Sequence, residues 1–134
     1  MATNAESMKP APTTENVVWF DISVANLGRA IAFYTAVLQR PIARVDTPHG
    51  ALGILPHDAK ITGGCLVEEA NYKAPSTGPL LYFNCTGRLE AAVQAATANG
   101  GRIVTPISSI EPHGFRAIVL DSEGNRIALH APTR

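Results

Sequence analysis

Residues 17–34, VVWFDISVANLGRAIAFY, decide the fold. Over residues 17–24 the side chains alternate, with Phe20, Ile22 and Val24 on one side and Trp19, Asp21 and Ser23 on the other, the period-two pattern of a half-buried strand. At Asn26 the period changes. Asn26 is a good helix N-cap, and Leu27, Ala30, Ile31, Tyr34, Val37 and Leu38 then recur at spacings of three and four on one helical face. Strand and helix each have one apolar face, and the two faces cover each other. Trp19, Asp21 and Ser23 look the other way, so what they face is the functional question.

Working outward, residues 41–45 and 51–55 read as short strands around the turn formers Thr47, Pro48, His49 and Gly50. Residues 58–62 form a loop, and 63–68 a further strand. Pro75, Ser76, Thr77, Gly78 and Pro79 then mark a linker. The second half repeats the order of the first. Residues 80–85 make a strand, and Leu89, Ala92, Val93 and Ala96 a helix stopped by Asn99, Gly100 and Gly101, with Gly100 in the left-handed terminal position. Strands follow at 102–107, 115–120 and 126–131, the last two joined by a tight polar turn over 121–125.

The expected fold class is therefore α+β: two βαβββ modules with curved mixed sheets, about 16–69 and 79–134, joined by a linker at 70–78. Residues 1–15, without periodicity, read as a flexible tail. The repeat pairs Trp19 with Leu80 at an offset of 61 residues, Asp21 with Tyr82, and Ser23 with Asn84. One helix covers only one face of each sheet. The other faces are expected to curve round a shared cavity lined by Trp19, Asp21, Ser23, Leu80, Tyr82 and Asn84. Cys65, Val67, Arg126, Ala128 and His130 join from the closing strands, with the parity of this last group loosened by a bulge that Gly63 and Gly64 permit.

Composition narrows the partners. A chain of 134 residues, 46% apolar and 16% charged, makes one domain able to bury roughly 68% of its unfolded surface. Eleven basic residues balance eleven acidic ones without local clustering, which argues against nucleic acid or an anionic membrane as partner. Two cysteines, with neither a leader nor a long apolar run, point to a reduced cytoplasmic setting without a disulfide. A small-molecule ligand is the expected partner.

Two motifs carry more. The pattern V-x-x-L-x-R-A-x-x-F-Y starts at Val24, and F-x-A-x-x-x-D-x-E-G-N-R-I-x-L-H runs from Phe115 to His130. Together with the linker between two strand-helix units, they make residues 17–132 resemble the vicinal oxygen chelate superfamily of glyoxalase I, bleomycin-resistance proteins and extradiol dioxygenases. The resemblance implies paired βαβββ modules, joined within or between chains, and hence a homodimer. Metal-dependent members hold a divalent ion with His or Glu at four inward positions, which fall here on Trp19, Cys65 (or Gly64 under a register shift), Leu80 and Ala128. Three convergent donors are the minimum for a catalytic ion, and a lone thiol is not enough. No metal and no other cofactor is expected, and an apolar floor replaces the ion. Gln39 and Arg40 stand where many relatives have Gly after Leu38.

The remaining polar groups leave alternatives open. Asp21 reads either as a general base or cation partner, or as a rim carboxylate paired with Arg or backbone. Tyr82 and Asn84 either orient a ligand oxygen or make structural hydrogen bonds. His130 is a catalytic or ligand group, or a strand-end histidine without a role. His113 sits where it can gate a cavity mouth, and His49 and His57 read as turn residues. Cys65 faces the cavity and Cys85 the core. Arg29, Glu123 and Arg126 read as turn and helix-surface salt links. The leading expectation is a glyoxalase/bleomycin-resistance-like binding protein without the usual ligand set. The alternative is a lyase or dioxygenase that recruits a divalent metal through Asp21, His113 and His130, or runs acid/base chemistry on Asp21 or His130.

Overall fold

A computed structural model describes residues 16–58 and 61–134, so the expected tail at 1–15 lies outside the described residues. The first half comprises β1 (Trp19–Val24), α1 (Leu27–Leu38), β2 (Ala43–Thr47), β3 (Gly50–Ile54) and β4 (Gly63–Glu68). The second comprises β5 (Tyr82–Asn84), α2 (Leu89–Ala98), β6 (Arg102–Ser109), β7 (Phe115–Leu120) and β8 (Arg126–Ala131). Each half makes one four-stranded sheet, ordered β1-β4-β3-β2 and β5-β8-β7-β6. In both, the opening strand pairs parallel with the closing strand, and the other two complete an antiparallel meander. A parallel pair needs a long crossover, and the helix with its following hairpin supplies it.

Both helices lie on the same side of their sheets and pack on each other, so the halves share one core. The opening strands meet there: Phe20 and Phe83 stack edge to face at 6.2 Å, and the Tyr34 ring lies 5.6 Å from Phe83. The α1 face is wider than its spacing predicts. Phe33 is fully buried beside Tyr34, whereas Ile31 and Leu38 are only half-buried, because α1 packs against α2 as well as against its own sheet.

Several strand boundaries differ from expectation, three of them for a physical reason. β2 starts at Ala43 rather than at Pro41, which lacks an N–H for the ladder. β5 starts at Tyr82, leaving Leu80 just ahead of the strand behind Pro79. β6 continues to Ser109, two register shifts letting it follow β7 further than a straight strand would. Gly100, at φ 93°, takes the expected left-handed position.

A polar seam locks the halves together. The Asp121 carboxylate, 2% exposed, accepts from the Tyr34 hydroxyl at 2.6 Å and from the backbone N–H groups of Glu123 and Asn125 at 2.8 and 2.9 Å. Burial first, and the Asp121 charge second, push the Tyr34 hydroxyl well above its ordinary pKa. Asn125 donates through Nδ2 to the Ser23 carbonyl at 2.9 Å. Glu123, on the same turn, accepts from Arg29 Nε at 2.7 Å, Arg29 Nη2 at 2.8 Å and the Asn26 N–H at 2.9 Å. A turn of the second half thus caps the helix of the first. Burial alone would raise the Glu123 carboxyl, but the bonds from Arg29, Ser122 and Asn26 outweigh it and hold it at about 2.

Candidate functional site

Each sheet has one face on the helices and one without a layer over it. In the first sheet the register puts Trp19, Asp21 and Ser23 beside Gly63, Cys65 and Val67 on the open face. Asp21 Oδ1 accepts two bonds, from the Trp19 indole N–H and the Cys65 thiol, each at 3.1 Å. Trp19 lies over Gly63, where a Cβ would come within 2.7 Å of its ring, and His57 stacks edge-on against it at 5.3 Å. Glycine at this position is what seats the indole. Ser23 donates to Glu69 Oε1 at 2.8 Å.

In the second sheet Tyr82 and Asn84 pair with Ala128 and His130, and His130 with Arg116. The Arg116 guanidinium donates to the Tyr82 hydroxyl and lies 5.7 Å from its ring centre. The His130 ring packs edge-on against Tyr82 at 6.2 Å, and its Nε2–H donates to the His113 carbonyl at 2.5 Å. That bond leaves His130 Nδ1 as the acceptor nitrogen. Asn84 Oδ1 is taken by Thr86, through its N–H at 3.0 Å and its hydroxyl, which frees the Asn84 Nδ2 donors. Ala128 is fully buried between Tyr82 and Ile118.

The expected residues thus fall into two groups: Trp19, Asp21, Ser23 and Cys65 on one sheet, Tyr82, Asn84, Ala128 and His130 on the other. Among the described residues no side-chain hydrogen bond or ring contact joins the groups. Trp19 is 42% and Tyr82 48% exposed, so neither face closes over the other within the chain. The halves do share two grooves. One, of about 340 Å³, lies under the linker and is lined by Asp21, Ser23, Tyr72, Leu81 and Arg126. The other, of about 420 Å³, is lined by Phe20, Leu55, Leu81 and Phe83 with Tyr82 and Asn84 beside them.

The positions that hold a metal in relatives do not fit one here. The Trp19 indole is a donor only, Ala128 has no ligand atom, and Leu80 lies ahead of its strand. Burial and the bond to Asp21 push the Cys65 thiol up to about 11, so it stays protonated. Among the described residues no three His, Cys, Asp or Glu side chains converge. Cys85 is core, as its alternation indicates. Arg29 and Glu123 form the expected salt link, whereas Arg126 lines the linker groove.

Sequence reasoning missed two residues of the faces. His57, read as a turn residue, packs on Trp19 and donates Nδ1–H to the Leu55 carbonyl at 3.1 Å. Arg116 is the second, and the available signal is that it is the lone cation in the otherwise apolar strand F-R-A-I-V-L.

Two modules of strand, helix and three strands, with open sheet faces, define a glyoxalase-like fold. The chain belongs to the Glyoxalase/Bleomycin resistance protein/Dioxygenase superfamily, whose model matches residues 16–129. A glyoxalase/bleomycin resistance protein from Albidiferax ferrireducens T118 superposes with a TM-score of 0.73 at 18% identity, over 87% of this chain and 98% of that one. A trypanothione-dependent glyoxalase I from Leishmania major gives 0.63 at 21% identity, over 88% and 87%. A Zea mays glyoxalase I mutant gives 0.68 at 20% identity, over 89% of this chain and 47% of that one. At these identities the likeness concerns the fold alone. No curated protein matches the chain. No helix among the described residues is long and apolar enough to cross a membrane.

Proposed function

We propose that the chain is a small-molecule-binding protein of this superfamily that works without a metal at the inherited positions. The observation that carries this is the pair of exposed aromatic rings, Trp19 and Tyr82, each held by hydrogen bonds on an open sheet face where, among the described residues, no set of metal donors converges. Ordered aromatic groups beside apolar grooves with few polar anchors are what a ligand site requires. Binding draws on apolar burial at about 25 cal/mol per Å², with Asp21, Ser23, Asn84 and His130 as orienting groups.

A second copy of the chain is the proposed cover for the open faces, giving a homodimer. Both cysteines are free thiols, which supports a cytoplasmic setting. The test is a thermal-shift screen of a chemically diverse small-molecule panel, with Trp19 fluorescence as second readout and metal analysis of protein purified without chelator. Stabilising ligands that quench or shift Trp19 emission, with metal far below one per chain, are expected. Stoichiometric zinc, nickel, manganese or iron, or a panel without a single binder, would overturn the reading.

A further inference from the structure

We infer that the ligand is an apolar organic acid, its carboxylate held by Arg116 and Asn84 and its body lying in the groove beside Tyr82. The inference rests on the binding role proposed above and adds the chemical class.

Arg116 is half-buried and makes no ion pair among the described residues. Its partner is the Tyr82 hydroxyl. A guanidinium has five N–H donors, so after that bond the fork still has the paired donors that match a carboxylate. Ser108, directly opposite Arg116 on β6, adds a hydroxyl, and Asn84 adds the Nδ2 donors left free by Thr86.

The wider face has the same sign. Arg102 and Arg126 both pair in register with Leu120, so they stand on this face with Arg116, and the strands place no Asp or Glu there. Within one chain, an anion meets a field of one sign on the strands of the second sheet. The adjoining groove of about 420 Å³ is apolar along Phe20, Leu38, Leu55, Leu81 and Phe83, has Arg40 at its edge, and includes no acidic residue in its lining. Tyr82 belongs to both: the residue borders the groove, and its hydroxyl meets Arg116. A neutral ligand leaves the Arg116 fork unmatched, and a cation is repelled. An amphiphile with an anionic head matches both halves of the site.

The test compares 4-phenylbutyrate with its neutral amide by two-dimensional NMR titration of the whole chain. The acid is expected to shift the amides of Tyr82, Asn84 and Arg116, to bind at least tenfold more tightly than the amide, and to weaken with added salt. Arg116→Gln is expected to erase the tenfold preference, and Arg116→Lys, which keeps the charge without the fork, to retain part of it. Should Arg116→Gln fail to fold, the lysine variant and the mapped shifts decide. Equal binding of acid and amide would overturn the inference while leaving the binding role intact. A preference that survives Arg116→Gln, or shifts confined to the Trp19 face, would also overturn it. Failure of both probes would overturn it too, while the binding role is decided separately by the diverse panel and the metal analysis.

Discussion

Glu123 is a turn residue in the second half whose carboxylate holds the first helix of the other half. Its neighbours keep it ionised down to about 2, against an ordinary 4.5. A carboxyl depressed in the folded state contributes stability that is fully present above 4.5 and disappears as the pH falls toward 2. Glu123→Gln is expected to lose about 2 kcal/mol at neutral pH, the scale of buried hydrogen bonds to a charged group. Urea titrations should show that difference shrinking as the medium is acidified, with the two proteins converging near pH 2. A difference independent of pH would assign the effect to packing. Gln39 illustrates a second kind of residue effect. It ends α1 at φ 53°, ψ 40°, the left-handed conformation that glycine adopts without strain. Its side chain recovers something by donating to the Ala36 carbonyl at 2.8 Å. Gln39→Gly is therefore expected to stabilise the fold by about 0.5–1 kcal/mol, below the full left-handed penalty. A denaturation midpoint that falls would show the side-chain bond to matter more.

At the level of elements, what the sequence made legible is what a single strand or helix encodes on its own. The alternation in β1 and the Asn26 cap place the first strand and helix correctly, and Asn26 Oδ1 accepts from the Arg29 N–H at 2.9 Å as an N-cap should. The identical strand order of the two sheets follows from the repeated element order. What was not legible depends on neighbours. β5 starts late, behind Pro79, and Phe33 is buried because a second helix lies against α1. Strand parity placed Asp21 with Cys65 on one open face and Tyr82 with His130 on the other, but only register across strands brings Arg116 to Tyr82, and only the folded chain brings His57 to Trp19. The junction between α2 and β6 supplies a test at this scale. A Cβ on Gly101 would lie 2.5 Å from the Leu120 carbonyl oxygen and 2.8 Å from that of Ala96, both backbone atoms. Gly101→Ala is expected to cost about 2 kcal/mol, typical of overpacking that no side-chain rotation relieves. Thermal unfolding would measure it, and an unchanged midpoint would mean that the helix and sheet slide apart freely.

For the whole molecule, the two open faces differ in charge. The second sheet presents Arg102, Arg116 and Arg126, and the first presents Asp21 with Glu69 bonded to Ser23 at its end. If two copies pair so that the first face of one meets the second face of the other, a two-fold axis repeats the contact and closes the assembly. Unlike charges then face each other in both halves of the interface, whereas like faces would set arginines against arginines. Such pairing also covers Trp19 and Tyr82, whose exposure is otherwise large for ordered aromatic side chains. A stable contact of this type buries about 800 Å² per partner. Sedimentation equilibrium should accordingly give twice the chain mass, with dissociation promoted by salt. Reversing one charge, as Arg102→Glu, should weaken the dimer by setting a carboxylate against the acidic face of the other copy, and Trp19 emission should shift to the red as the indole becomes wet. A monomer at low salt, or a dimer whose formation leaves Trp19 emission unchanged, would place the contact elsewhere and leave the open faces to ligand alone.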